Sequence, residues 1–235
     1  MAEPVRFEKR GALAIITIDD QATRNALGPE TANLLARYAE ESAEDETIRL
    51  LVLTGADGVF CSGAAMRDWE QEPDAGETLT DTGTELCELI EDLPIPVVAC
   101  LPGHAVGGGA ELALAADWRV MDPAAELRFV HTGFGLIPGF GGLTRLELLV
   151  GRAKTLMLMA TRARVNAEDA LTLGLCEAVV PAAEQLDWAV DLAAAMAQSD
   201  RAAISAIKQA ISTGDERAAF LSVWPDRQLP DRLGS

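Results

Sequence analysis

The sequence predicts an α/β fold, and three observations carry that reading. Short apolar runs rich in Val, Ile and Leu recur between stretches of helical periodicity, the alternation persists for about 180 residues, and from Pro181 onward only helical periodicity remains. Residues 1–180 are therefore expected to form one core domain, and residues 181–235 a helical region.

Val5-Arg6-Phe7-Glu8 and Ala12 to Ile18 read as two strands joined through Lys9-Arg10-Gly11. A turn-rich loop, Gln21 to Pro29, leads into a helix that Pro29 opens and that runs to about Ala43, with Leu34, Leu35 and Tyr38 on one face. Ile48 to Gly55 is a strand, and a short helix is expected to start near Ala64 after Gly58-Val59-Phe60-Cys61-Ser62-Gly63. Gln71 to Gly76 is polar, holds Pro73, and reads as a loop beside a pocket. Glu77 to Asp92 is helical and stops at Pro94-Ile95-Pro96. Later strands are expected at Val97–Leu101, Trp118–Met121, Leu127–Val130, with His131 at its end, and Leu175–Val180. Helices are expected from Leu143 to Val150, at 152–161 and 166–173, and then at 182–198, 200–213 and 214–224. Pro225 to Ser235 reads as loosely ordered.

The organising stretch is Leu101-Pro102-Gly103-His104-Ala105-Val106-Gly107-Gly108-Gly109-Ala110-Glu111-Leu112. It places three glycines between a buried strand and an Ala-rich helix, where backbone approaches a ligand closely and the free N–H groups of a first helical turn face negative charge. Such a turn can stabilise an oxyanion. Glu111 admits two readings, an acid/base group beside that site or a first-turn acid that complements the helix dipole. No Lys-Ser or Lys-Thr follows the glycines, so a P-loop is excluded, and their spacing does not give the dinucleotide fingerprint.

With 235 residues, 49% of them hydrophobic, the chain can build a real core. No apolar run approaches the ~20 residues that span a bilayer, and the start lacks a signal-peptide pattern, so a soluble cytoplasmic protein is expected. Cys61, Cys87, Cys100 and Cys176 are widely spaced and read as buried thiols, and only His104 and His131 could supply imidazole; no metal site is expected. A net charge of −18 argues against nucleic acid and requires any phosphate-bearing ligand to meet a local cation. No Gly-x-Ser-x-Gly elbow supports a serine hydrolase.

From Arg6 to Trp224 the chain resembles the crotonase (enoyl-CoA hydratase/isomerase) family. The resemblance rests on Arg24-Asn25-Ala26-Leu27, Leu53-Thr54-Gly55, Phe60-Cys61-Ser62-Gly63-Ala64, the stretch Gly103 to Leu112, Ile137-Pro138-Gly139-Phe140-Gly141-Gly142 and Asn166 to Leu171. It implies a crotonase-like spiral of βαβ units, an acyl-CoA thioester as substrate with coenzyme A as part of it and no bound cofactor, and a homo-trimer or hexamer in which the helical region 181–235 serves oligomerisation. It also implies an oxyanion hole made by the N–H groups of Ala64 and Gly108, a catalytic Glu111, and a coenzyme bordered by Arg24, Ala26, Ala64 and Gly107. Valine at 108 is then expected to block the thioester oxygen and leave the fold intact.

The chain departs from the hydratase pattern at His131, which stands where hydratases carry a second catalytic glutamate, and at Ala65, where the family often has aspartate. Arg128-Phe129-Val130-His131 is similar to the branch that decarboxylates methylmalonyl- and ethylmalonyl-CoA. A second carboxylate would repel a malonyl substrate, by around 4 kcal/mol for unit charges 4 Å apart at an effective dielectric of 20, and histidine removes that repulsion. Decarboxylation with His131 catalytic is the leading expectation. The alternatives are an enoyl-CoA hydratase or isomerase that runs on Glu111, and a non-catalytic acyl-CoA-binding subunit.

Overall fold

The computed structural model describes residues 3–72 and 74–227. Strands β1 (Val5–Arg10) and β2 (Leu13–Ile18) form an antiparallel hairpin. Its turn is Gly11 at φ +60 with Ala12, not Lys9 to Gly11, because Arg10 still pairs with Leu13. Helix α1 (Pro29–Glu44) carries Pro at its start and buries Thr31, Leu34, Leu35 and Ala39 at helical spacing. Strand β3 (Leu50–Gly55) is followed by α2 (Met66–Trp69), α3 (Ala75–Asp92), β4 (Val97–Leu101), the two-residue β5 (Ala105–Val106) and α4 (Gly108–Ala115). Then come β6 (Trp118–Met121), β7 (Glu126–Arg128), a 3-10 turn from His131 to Phe134, α5 (Gly142–Ala160), β8 (Arg164–Asn166) and α6 (Ala167–Leu173). The chain closes with β9 (Ala178–Val179), α7 (Gln185–Ala195), α8 (Arg201–Thr213) and α9 (Glu216–Val223).

The main sheet has the order β1-β2-β3-β4-β6-β9, parallel except at β1, and a small sheet has the order β5-β7-β8. Successive residues of each central strand feed two separate cores. Ala14, Ile16, Leu51, Leu53, Val97 and Ala99 face the layer of α1, α3 and α4, while Leu13, Ile15, Leu50, Val52, Val98 and Val120 pack under α7 through Ala189 and Ala193. That double burial explains why β3 reads as an unbroken apolar run.

Other boundaries shift as well, and the strand expected over Leu175–Val180 shortens to Ala178–Val179. The short helix expected near Ala64 is α2, which starts two residues later at Met66, because Ala64 itself bridges Leu27 in extended form. Ala75 and Gly76 belong to α3 rather than to a loop, and Pro73 lies outside the described residues. Strand β7 ends at Arg128, so Val130 and His131 turn into the 3-10 helix instead of extending it. Arg164 and Val165, left between the helices expected at 152–161 and 166–173, and Asn166, expected in the second of them, form β8, which pairs with β7 because Val165 lies opposite buried Leu127. The break foreseen between two helices near 150 is a kink at Gly151, φ +77, within α5. Of the expected loose end, 228–235 lie outside the described residues.

Among the described residues no helix is long and apolar enough to cross a membrane. All four cysteines are buried and unpaired, and burial pushes the thiols of Cys61, Cys87 and Cys100 up to about 12.

Candidate active site

Two chain segments meet at the carboxyl end of the main sheet. Between β4 and α4, the short strand β5 bridges Cys61 of the preceding loop, with Val106 N–H donating to the Cys61 carbonyl at 2.9 Å. Gly107 then takes φ 53 and ψ −120, a conformation that a side chain would strain, and hands the chain to α4, all eight residues of which are buried. Gly109 must also lack a Cβ, since one would stand 2.6 Å from the Cys61 carbonyl oxygen. On the opposing loop Gly63 turns at φ +108, and a Cβ there would lie 3.8 Å from the Gly108 nitrogen. The Ala64 and Gly108 backbones are thereby brought side by side, and neither N–H has an acceptor among the described residues. Gly107 differs from this pair, because its N–H donates to the Arg128 carbonyl at 2.9 Å and is not free for a ligand.

Glu111 lies in the first turn of α4, yet its carboxylate serves another helix. Oε2 accepts the N–H groups of Phe140 and Gly142 at 2.8 and 3.0 Å, and Oε1 accepts that of Gly139 at 3.3 Å. Gly142 is the first residue of α5, so the acid sits on the positive end of that helix, not only of its own. The fourth partner is His131, whose Nε2 lies 3.1 Å from Oε1. A bond there requires the proton on Nε2 when the carboxylate is ionised. Glu111 is 3% exposed and His131 9%, and His131 Nδ1 has no partner among the described residues.

The loop that grips Glu111 is itself held from behind. Arg145 donates to the Phe140 carbonyl at 2.7 Å and pairs with Glu91 at 2.6 Å, and Thr84 Oγ1 donates to the Gly139 carbonyl at 3.0 Å. Arg145, Thr84 and Phe140 were invisible as site residues in sequence. Only the glycines around Phe140 signalled that backbone comes close there.

The Phe140 ring also changes one expectation. A Cβ on Gly108 would lie 2.6 Å from Phe140 Cε2, so valine at this position strikes a buried ring and cannot leave the packing intact.

The loop from Asp20 to Leu27 is locked against the same region. Buried Asn25, at φ 62, accepts the Asp20 N–H and donates to the carbonyls of Ala56 and Val59, and Ser62 Oγ donates to the Thr23 carbonyl. Leu27 N–H donates to the Gly63 carbonyl, which sets Ala26 beside the Ala64 loop. Arg24, exposed and at φ 59, has no ion pair among the described residues. The groove of about 880 Å³ beside Ala26 is lined by Glu3, Asp19, Asp20, Glu30, Asp68 and Glu72. Cations gather elsewhere: His104 is held below its ordinary value by burial first, then by Arg128, with Arg24 and Arg164 adding to it and Glu126 opposing. Arg128 and Arg164 are direct partners across β7 and β8.

The enoyl-CoA hydratase/isomerase family model matches residues 8–227. The chain is 35% identical over 219 residues to the putative enoyl-CoA hydratase/isomerase YngF of Bacillus subtilis, covering 92% of this chain and 84% of that protein. It is 32% identical to the short-chain-enoyl-CoA hydratase of Clostridium acetobutylicum, covering 89% and 81%. A crystal structure of enoyl-CoA hydratase from Bacillus anthracis superposes with a TM-score of 0.87 at 27% identity, covering 97% of this chain and 98% of that one. With a family match across nearly its whole length and this fold, the chain belongs to the enoyl-CoA hydratase/isomerase family, the crotonases, and is an enzyme of that family.

Proposed function

We propose that this enzyme moves an allylic proton on an enoyl-CoA thioester, the isomerase side of its family's chemistry. The observation that carries the reading is the 3.1 Å contact between Glu111 Oε1 and His131 Nε2. Hydration by two acids holds a water between them; here the two groups hold each other and form one acid/base couple. A double-bond shift needs only one. The proton leaves the carbon next to the double bond for Oε1, whose partners at 3.1 and 3.3 Å are looser than those of Oε2 at 2.8 and 3.0 Å. The electron pair moves to the thioester oxygen, which the Ala64 and Gly108 N–H groups receive as an enolate. The same proton then returns to the carbon at the other end of the allylic unit. In comparable sites, one such oxyanion donor is worth about 3–4 kcal/mol.

The comparisons favour hydratase/isomerase chemistry. Decarboxylation of a methylmalonyl- or ethylmalonyl-type thioester is the second reading, and one observation favours it: an imidazole stands beside Glu111 where a second carboxylate would repel a substrate anion. Both readings place a negative thioester oxygen on the same two N–H groups, a dienolate in the first and a saturated acyl enolate in the second. Purified enzyme offered 3-enoyl-, crotonyl-, methylmalonyl- and ethylmalonyl-CoA, with products followed by mass spectrometry, separates them. The expected result is conjugation of the 3-enoyl thioester faster than water addition to crotonyl-CoA. Loss of CO2 from a malonyl thioester with inert 3-enoyl-CoA would reverse the order of the two readings.

In this proposal the coenzyme's phosphates lie toward Arg24, Arg128 and Arg164 and avoid the acidic groove beside Ala26. Self-association is part of it. Leu148 on α5, Ile207 and Ile211 on α8, Phe220 on α9 and Trp224 just past its end are exposed, apolar surface that a neighbouring copy would cover, and residues 181–235 are the proposed oligomerisation region. Light scattering is expected to give a trimer or hexamer of the 24.9 kDa chain; a single 24.9 kDa particle at micromolar concentration would refute it.

A further inference from the structure

We infer that Phe140 closes the acyl end of this site and restricts the enzyme to short acyl chains, an inference that deepens the proposed function and rests on it. The ring is wedged between two helices that each give up a side chain to seat it. Gly83 lies in the middle of α3, where a glycine is ordinarily a poor choice, and a Cβ there would stand 2.1 Å from Phe140 Cδ1. Gly108 opens α4, and its Cβ would stand 2.6 Å from Cε2 on the opposite edge of the ring. Phe140 therefore fills the space between α3 and the residue whose N–H is to receive the thioester oxygen.

The ring cannot withdraw by a small loop movement. Phe140 N–H is bonded to Glu111 Oε2 at 2.8 Å, its carbonyl to Arg145 at 2.7 Å, and the carbonyl before it to Thr84 at 3.0 Å. Glu111 thus positions the reacting carbons and the wall beyond them through the same peptide. An acyl chain must bring its second to fourth carbons within reach of Glu111 Oε1. The buried ring, 5% exposed, stands in the way of carbons beyond these, and the proposed limit is about four carbons.

The test measures initial rates for wild type, Phe140→Ala and Phe140→Leu on 3-enoyl-CoA thioesters of increasing length. Calorimetric titration with saturated acyl-CoA of the same lengths runs beside it. Wild-type kcat/KM is expected to fall at least about tenfold between four- and eight-carbon chains, since a single misfitted methylene has that effect in a tight pocket. Truncation should raise the eight-to-four-carbon ratio about tenfold or more, with leucine intermediate. Equal wild-type rates on both lengths would overturn the inference, as would an unchanged ratio in a folded Phe140→Ala. Truncating a buried ring can cost the fold, in which case the wild-type ladder and Phe140→Leu decide. If no thioester is turned over at any length, the proposed reaction fails; the binding ladder still judges Phe140, supporting it if affinity drops past four carbons and overturning it if affinity is flat or rises.

Discussion

Replacing Glu111 with glutamine is expected to lower kcat/KM by about 10²–10⁴, the usual worth of a positioned acid/base. The amide cannot take up a proton from carbon. Its geometry also fails: with its oxygen turned to the Phe140 and Gly142 N–H groups, its NH2 faces Gly139 N–H and His131 Nε2. A donor then meets donors unless the imidazole proton moves to Nδ1, a buried atom with no partner among the described residues. The loop from Gly139 to Gly142 therefore loosens, and thermal unfolding should shift down together with activity. Steady-state rates and calorimetry on one preparation measure both. A Glu111→Gln enzyme with near wild-type turnover removes Glu111 from the chemistry, and one with lost activity but unchanged unfolding confines its role to proton transfer.

The second large effect is on stability. Lys208 on α8 reaches under the main sheet, donating to Asp117 Oδ2 at 2.7 Å and to the carbonyls of Ile95 and Ile90 at 3.2 and 3.4 Å. Asp117 also accepts the N–H of Val97, the first residue of β4, at 2.7 Å. Burial pushes the Asp117 carboxyl above its ordinary value, against the opposing pull of Lys208. With the folded value above the unfolded 3.8, the protonated acid is the form the fold favours; that contribution is full below pH 3.8 and is lost as pH rises through the folded value. Lys208→Ala leaves a carboxylate without its cation and should cost about 3 kcal/mol at pH 7, the low end for a broken buried pair because Asp117 keeps some solvent contact. The deficit should shrink as the pH falls through the Asp117 range, where the acid becomes neutral. Urea unfolding of wild type and variant at neutral pH and near pH 4.5 measures this. An equal deficit at both would show that lost packing, not the ion pair, carries the effect.

The elements that could be read from sequence are those whose cause is local. The apolar runs of Leu13–Ile18 and β3 depend on burial of each strand's own two faces, and the start of α1 depends on Pro29. Where a partner strand decides, the reading failed. Arg164–Asn166 is a strand only because β7 lies beside it, and Ala64 is extended only because Leu27 bridges it.

The same division holds at the site. The sequence by itself determined that glycine-rich backbone turns into a buried helix at Gly107 to Gly109, since a side chain is strained at φ 53 with ψ −120 at Gly107 and leaves no space for the Cys61 loop at Gly109. Its motifs placed Glu111 and His131 as candidates. Tertiary structure decided what those side chains do. Glu111 finds its partners 20 to 31 residues away, on a loop held by Arg145 and Thr84, and so caps α5 and binds an imidazole. Phe140 becomes a wall because Gly83 and Gly108 arrive on either side of it, and Lys208 finds Asp117 across 91 residues. Periodicity and turn chemistry act over a few residues, whereas a carboxylate's partners and the space around a ring are set by which distant backbones the packed helices bring together.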